Sequence, residues 1–204
     1  MKWIIQIVLV LTAFQAQAEV SQSYAAPQVS VFTKNQRIDN EGIEIYTTNY
    51  EMKAFKKIGV GVVTGGLTGG FGINGEFNLE PANALFLGLG RGEAYNSFNF
   101  GWKYNFESQY LSPYTKVGYG KWFNNNSGSG SANSNDILKR VLSEKEIREN
   151  KFGTNFIAGG AGLEYNQIEG DLSGVNFYGE LLVMTDISKV TLIPTGAVGL
   201  IYFY

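Results

Sequence analysis

The chain has no cysteine, no histidine and only 4 prolines in its 204 residues. Without cysteine there is neither a disulfide framework nor a thiolate metal site, although an exported protein has access to disulfides. Without histidine the commonest general base is missing. A carboxylate pair or a Ser-Lys arrangement still has the chemistry for catalysis. No two acidic residues show motif-like spacing, however, and Ser143 to Lys145 is better explained by helix capping. The expectation is a protein that is not an enzyme and holds no metal or cofactor. A large excess of one charge is missing as well: Lys and Arg total 16 against 18 Asp and Glu, a net charge of -2. Nucleic-acid binders carry a basic excess, so nucleic acid is not an expected partner.

Long apolar runs are also scarce. Trp3 to Phe14 is the one that stands out, and it falls short of the roughly 20 residues a membrane-spanning helix needs. Met1-Lys2 supplies a weak positive region ahead of it, and Ala16-Gln17-Ala18 a small-residue cleavage site behind it. Residues 1–18 therefore read as a secretory signal peptide. No later stretch reaches spanning length, so any membrane crossing must be made by strands.

What the chain has in quantity is glycine and aromatics: 26 Gly, 14 Phe, 12 Tyr and 3 Trp. They fall in alternating rows, and in a strand successive side chains face opposite sides. Phe98, Phe100, Trp102, Tyr104 and Phe106 share one face, with Asn99, Gly101, Lys103 and Asn105 on the other. Leu85, Leu87 and Leu89 oppose Phe86, Gly88 and Gly90 in the same way. Alternation predicts eight strands, near 57–65, 68–79, 83–91, 96–106, 111–123, 153–166, 174–185 and 192–204. Most reach the roughly 9–11 residues that a tilted transmembrane strand needs. Gly65 to Gly70 is either a turn between two strands or a bulge within one longer strand. Even parity and one dominant connection, residues 124–152, are the marks of an antiparallel up-and-down barrel with short turns at one end and longer loops at the other.

Two segments fall off the strand pattern. Residues 19–56 are polar and mixed, with Ile43 to Tyr46 strand-like and Tyr50 to Lys57 helix-like; they are expected as a periplasmic, partly flexible piece, with a lumen plug or a ninth strand as alternatives. The long external loop begins as a Ser/Gly/Asn linker. It then gains an apolar helical face of Ile137, Leu138, Val141, Leu142 and Ile147, and Ser143-Glu144-Lys145-Glu146 has capping-box spacing. That face is read as an amphipathic lid or a partner-binding helix.

The inward rows carry Glu76, Lys103, Lys116, Glu164 and Glu180, with Tyr114 and Tyr178 among them. An eight-stranded barrel is only wide enough for its own side chains. The charges are therefore expected as a salt-bridged network that holds register, with an ion conduit as the alternative. The chain ends on a strand whose Val198, Leu200, Tyr202 and Tyr204 share a face, apolar toward lipid and aromatic at the interface.

On this alternation, parity, loop asymmetry and Tyr204 ending, residues 57–204 resemble the small eight-stranded outer-membrane β-barrel proteins of Gram-negative bacteria. The resemblance implies an all-β transmembrane barrel with one long extracellular loop containing a short helix. It implies a place in the outer membrane, contact with lipid and lipopolysaccharide, and insertion by the barrel assembly machinery, which reads the terminal strand. The expected role is structural, or an interaction with a surface protein partner through the loop. A narrow channel for small apolar or ionic solutes and a soluble secreted binding barrel are the rivals; the latter reverses every inward and outward assignment.

Overall fold

Alternation decides the architecture. The computed structural model describes Ile38 and residues 42–125, 135–149 and 151–204, all within the compact unit Val31–Tyr204. The signal-peptide residues, most of 19–41 and the linker at 126–134 lie outside the described residues. Eight strands follow one another: β1 (Ile58–Gly65), β2 (Gly69–Asn78), β3 (Asn83–Arg91), β4 (Tyr95–Asn105), β5 (Leu111–Asn124), β6 (Gly153–Asn166), β7 (Val175–Asp186) and β8 (Leu192–Phe203). Each bound lies within one residue of the span that alternation predicts. Every strand is antiparallel to the next, and β8 pairs back onto β1 to close the barrel. At that seam Val60 faces Tyr202, Val62 faces Leu200 and Thr64 faces Val198. Closure leaves no strand edge exposed.

The polarity of the wall is inside out. Phe71, Leu87, Phe100, Val117, Ile157, Leu181 and Val198 are each more than half exposed, whereas Glu76, Lys103, Glu164 and Glu180 are buried. An apolar belt running round the whole barrel exceeds the few hundred Å² that soluble monomers expose. The wall is transmembrane, and the reading of a soluble barrel with its aromatic rows inside is overturned.

The lumen is layered. At the loop end, where the connections after β1, β3, β5 and β7 lie, the inward side chains are apolar: Trp122, Phe156, Met184 and Ile193 are buried there. The turn between β1 and β2 folds into this layer. Gly65, Gly66 and Gly69 take φ values of 90°, 57° and 82°, a region that L side chains rarely enter. This lets Leu67 and Thr68 point into the barrel, where Trp122 Nε1 donates to the Leu67 carbonyl at 2.7 Å and Ser97 Oγ to the Thr68 carbonyl at 2.6 Å. Of the two readings of Gly65 to Gly70, the turn is the one realised. The middle of the lumen is charged. At the terminal end, where the chain enters β1 and leaves β8, Asn78, Asn105, Asn166 and Asn176 are buried side by side. Asn176 Nδ2 donates to Asn166 Oδ1 at 2.7 Å, and Asn166 Nδ2 to Ser112 Oγ at 2.9 Å.

The segment ahead of the barrel closes that terminal end. A helix, α1 (Asn49–Phe55), starts at Thr48, whose Oγ1 accepts from the Glu51 amide, while the Glu51 carboxylate accepts from the Thr47 amide at 2.7 Å. Seven residues are too few for a stable isolated helix. The helix persists because Met52 packs with Ile201 and Phe203, and Lys53 is fully buried. Just before it, the Tyr46 amide donates to the Ile168 carbonyl at 2.9 Å and Gly170 to the Glu44 carbonyl at 2.8 Å, tying the strand-like run to the β6–β7 connection. For residues 42–56 the plug alternative to a partly flexible segment is the one realised: they form a packed stopper, because Met52 and Lys53 find their partners in the barrel mouth.

At the loop end the long connection carries two short helices rather than one, α2 (Asp136–Val141) and α3 (Glu144–Glu149). Asn135 caps the first, its Oδ1 accepting from the amides of Ile137 and Leu138 at 2.9 and 3.0 Å.

Large inward rings fit this narrow lumen because glycines face them. A Cβ added at Gly162 would lie 2.5 Å from Cζ of Tyr114, whereas one at outward-facing Gly159 would meet nothing closer than 3.9 Å. Gly162→Val is expected to cost about 1–3 kcal/mol through overpacking, and Gly159→Val to stay within about 0.5 kcal/mol. Unfolding followed by heat-modifiable gel migration checks the contrast; equal losses at both positions would show that the rings do not set the limit.

Candidate functional site

The lumen and its two closures are the candidate site, since every inward charge and the one long loop converge there. All five charged residues expected to face inward do so. Lys103 Nζ donates to Glu76 at 2.9 Å and to Glu164 at 2.6 Å, and Lys116 Nζ donates to Glu180 at 3.0 Å. Tyr114 Oη donates to Glu180 at 2.9 Å, and Tyr178 Oη accepts from Asn74 Nδ2 at 3.0 Å. Two ammonium groups also lie over aromatic faces, Lys103 at 4.4 Å from the Tyr114 centroid and Lys116 at 4.2 Å from that of Phe86. Such contacts gain most where water is excluded.

In the charged middle layer the wall alone supplies one carboxylate too many; Asp186, buried at the loop end, accepts from the Ser188 amide at 3.0 Å instead. Glu76, Glu164 and Glu180 face Lys103 and Lys116, and an unpaired ion in a narrow low-dielectric lumen is costly. The missing cation is Lys53 of α1. Its Nζ is hydrogen-bonded to Glu164, donates to Asn105 Oδ1 at 2.9 Å and lies 3.8 Å from Glu76. Lys56, just past the helix, forms a second anchor by pairing with Glu44 at 3.1 Å and donating to the Ser173 carbonyl at 2.7 Å. Neither lysine belongs to the strand pattern. The leftover negative charge and the Thr48-x-x-Glu51 spacing were the available signals for them.

The lid closes the other end. Leu138, Val141 and Leu142 are buried in one cluster with Leu67, Tyr95, Trp122, Phe152, Phe156 and Met184, and Ile137 and Ile147 pack against it. Tyr95 stacks on Trp122 with centroids 4.3 Å apart and planes 8° from parallel, and Phe156 meets Trp122 edge-on at 5.1 Å. Of the two readings of the apolar face of Ile137, Leu138, Val141, Leu142 and Ile147, a lid or a partner-binding helix, the lid is the one realised. Burying that face on the aromatic layer removes it from water. At the start of α3 the expected capping box is present: the Glu146 carboxylate accepts from the Ser143 amide and hydroxyl at 2.8 and 2.7 Å. These bonds hold the Glu146 carboxyl below its ordinary range.

Between the closures little space remains. One cavity of about 20 Å³ lies among Asn74, Glu76, Lys103, Tyr114, Lys116 and Glu180, enough for about one water. The carboxylates in it already hold ammonium or phenol donors, so the arrangement is suited to fixing strand register rather than to proton abstraction. Among the described residues, no group of three or more His, Cys, Asp or Glu is placed to hold a metal ion. On the terminal strand Val198, Tyr202 and Tyr204 are exposed on the outer face, Leu200 shares that face, and Ala197, Ile201 and Phe203 point inward.

No family model and no curated protein matches the chain. Among solved structures it is similar to the N-terminal β-barrel domain of Pseudomonas aeruginosa OprF, with 15% identity over 73% of this chain and 98% of that one and a TM-score of 0.51. Ail of Yersinia pestis is matched in a phospholipid nanodisc and in a crystal, at 12% and 14% identity over 73% and 72% of this chain and 99% and 96% of those, with TM-scores of 0.38 and 0.34. The shared fold with the first is that of the small eight-stranded outer-membrane barrels. Together with the apolar outer belt it makes this chain an eight-stranded transmembrane β-barrel.

Removing Lys53 strands buried negative charge. Lys53→Met is expected to destabilise the barrel by about 3 kcal/mol, and Lys53→Met combined with Glu164→Gln to recover most of it; denaturant unfolding in detergent measures both, and a single variant as stable as the wild type would show that the ion pair is idle. The lid has its own pH dependence. Because the folded Glu146 carboxyl is held down, its contribution is present above the ordinary carboxylate range and lost as pH falls through the lowered value. At neutral pH Glu146→Ala is expected to speed protease cleavage within α3, with wild type and variant converging in acid.

Proposed function

We propose that this protein is a non-catalytic outer-membrane barrel whose role is structural or surface-interacting, with the loop end outside the cell and the lid's solvent face as the contact surface. The observation that carries the reading is the double closure of the lumen by the chain's own residues, Lys53 and Met52 at one end and Leu138, Val141 and Leu142 at the other. A barrel filled in this way offers a rigid wall and a displayed surface. The displayed surface is polar: Lys139, Arg140, Lys145, Arg148 and Lys151 are exposed on the lid, interleaved with Asp136, Glu144 and Glu149. A mixed-charge, solvated surface of this kind suits contact with lipopolysaccharide or a surface protein by electrostatic complementarity.

The narrow-channel reading finds little support. Against it weigh the small cavity between the closures, about 20 Å³, and the bonding of its carboxylates to ammonium groups. Two measurements test the proposal together. The purified barrel is expected to be silent in a planar bilayer, and steady single-channel conductance would overturn the closed-lumen reading. On intact cells a membrane-impermeant amine reagent is expected to modify Lys139 or Lys145 but not Lys57, next to the stopper; the reverse pattern would invert the orientation. Deleting residues 127–150 is expected to leave a heat-modifiable barrel while removing surface binding.

A further inference from the structure

The lipid-facing wall is almost free of charge. Across the outward faces of all eight strands only two charged residues occur, Arg91 at the last position of β3 and Lys121 near the end of β5, and no carboxylate occurs at all. Both cations sit toward the loop end. Arg91 is exposed and makes no ion pair with any described residue. An unpaired guanidinium at the edge of a bilayer calls for an anion from outside the chain.

Beside Arg91 the wall is concave. An apolar groove of about 360 Å³ runs along the seam, lined on its outer side by Val62, Thr64, Phe71, Phe177, Val198 and Leu200, with Gly199 in its floor. Phe71 is the direct cross-strand partner of Arg91, so the Arg91 backbone lies about one strand spacing, roughly 4.8 Å, from that of Phe71 at the edge of the groove. Thr64, whose hydroxyl is already given to the Gly70 carbonyl at 2.5 Å, marks the same end of the groove. The polar rim and the apolar trough therefore succeed one another along the membrane normal, in the order that an amphiphile presents them.

We propose that this seam groove is a binding site for one anionic, phosphate-headed lipid, its acyl chain lying along Val62, Val198 and Leu200 and its headgroup on Arg91. A second copy of the chain fits the site less well, because its wall carries no outward carboxylate to meet Arg91. The inference needs only the transmembrane wall and not the orientation or surface role proposed above, so each can fail alone.

The test uses the full barrel in detergent, loaded with phosphatidylglycerol or phosphatidylcholine of identical acyl chains and read by native mass spectrometry. Wild type is expected to retain one phosphatidylglycerol with about a fivefold preference, the size of one cationic contact at a membrane surface. Arg91→Gln is expected to abolish that preference and Arg91→Lys to keep it, while Val198→Trp, which fills the groove, lowers retention of both lipids. Heat-modifiable migration confirms that each variant is folded. Equal retention of the two lipids by wild type, a preference that survives Arg91→Gln, or a dimer in place of the lipid-bound monomer would overturn the site.

Discussion

Neutrality of a narrow lumen is the constraint on which the rest of the structure depends. Eight strands leave room for side chains and almost nothing else, so each charge in the middle of the lumen must find its counter-ion within that space. Asp186 at the loop end takes a backbone amide instead. Glu76, Glu164 and Glu180 are balanced by Lys103, Lys116 and Lys53. The third of these cations comes from outside the wall. The stopper helix is consequently held by the same interaction that neutralises the barrel, and the seven residues of α1 need little helical propensity of their own. Lys53 also reaches Asn105, so the charged middle and the asparagine layer form one polar network linking β2, β4 and β6 through a single side chain of the stopper.

Much of this was legible in the residues. The rows Phe98 to Phe106 and Leu85 to Leu89 fixed strand identity and facing, because a period of two has only two possible phases and a row of five aromatics cannot fill so small a lumen. The five inward charges followed from the same parity. What escaped is tertiary by nature. Whether the face of Leu138, Val141 and Leu142 awaits a partner or already has one depends on Trp122 and Phe156, which lie on strands flanking the loop and carry no local mark of what covers them. The buried Leu67-Thr68 turn was hidden for a similar reason: glycines allow a turn to fold inward, but the acceptors that hold it there, Leu67 O for Trp122 and Thr68 O for Ser97, are backbone groups without a sequence signature. Lys53 was half visible, as a charge deficit without an address.

The two closures differ in the physics that holds them, and the difference bears on what each end can do. The stopper is ionic and polar: Lys53 and Lys56 are buried against Glu164, Glu44 and the Ser173 carbonyl, and removing any partner leaves a charge in low dielectric. That makes it an all-or-none element, costly to open in part. The lid is apolar below and solvated above. Its hold on the barrel grows with buried area, and its upper surface carries charges that contribute little to stability. Residues such as Lys139, Arg140 and Lys145 can therefore be exchanged without loosening the fold, whereas Leu138 or Lys53 cannot. A surface free to vary, set on a base that is not, is where a barrel with a filled lumen has scope to acquire a binding role, and it places that scope on the lid and outer rim rather than in the core.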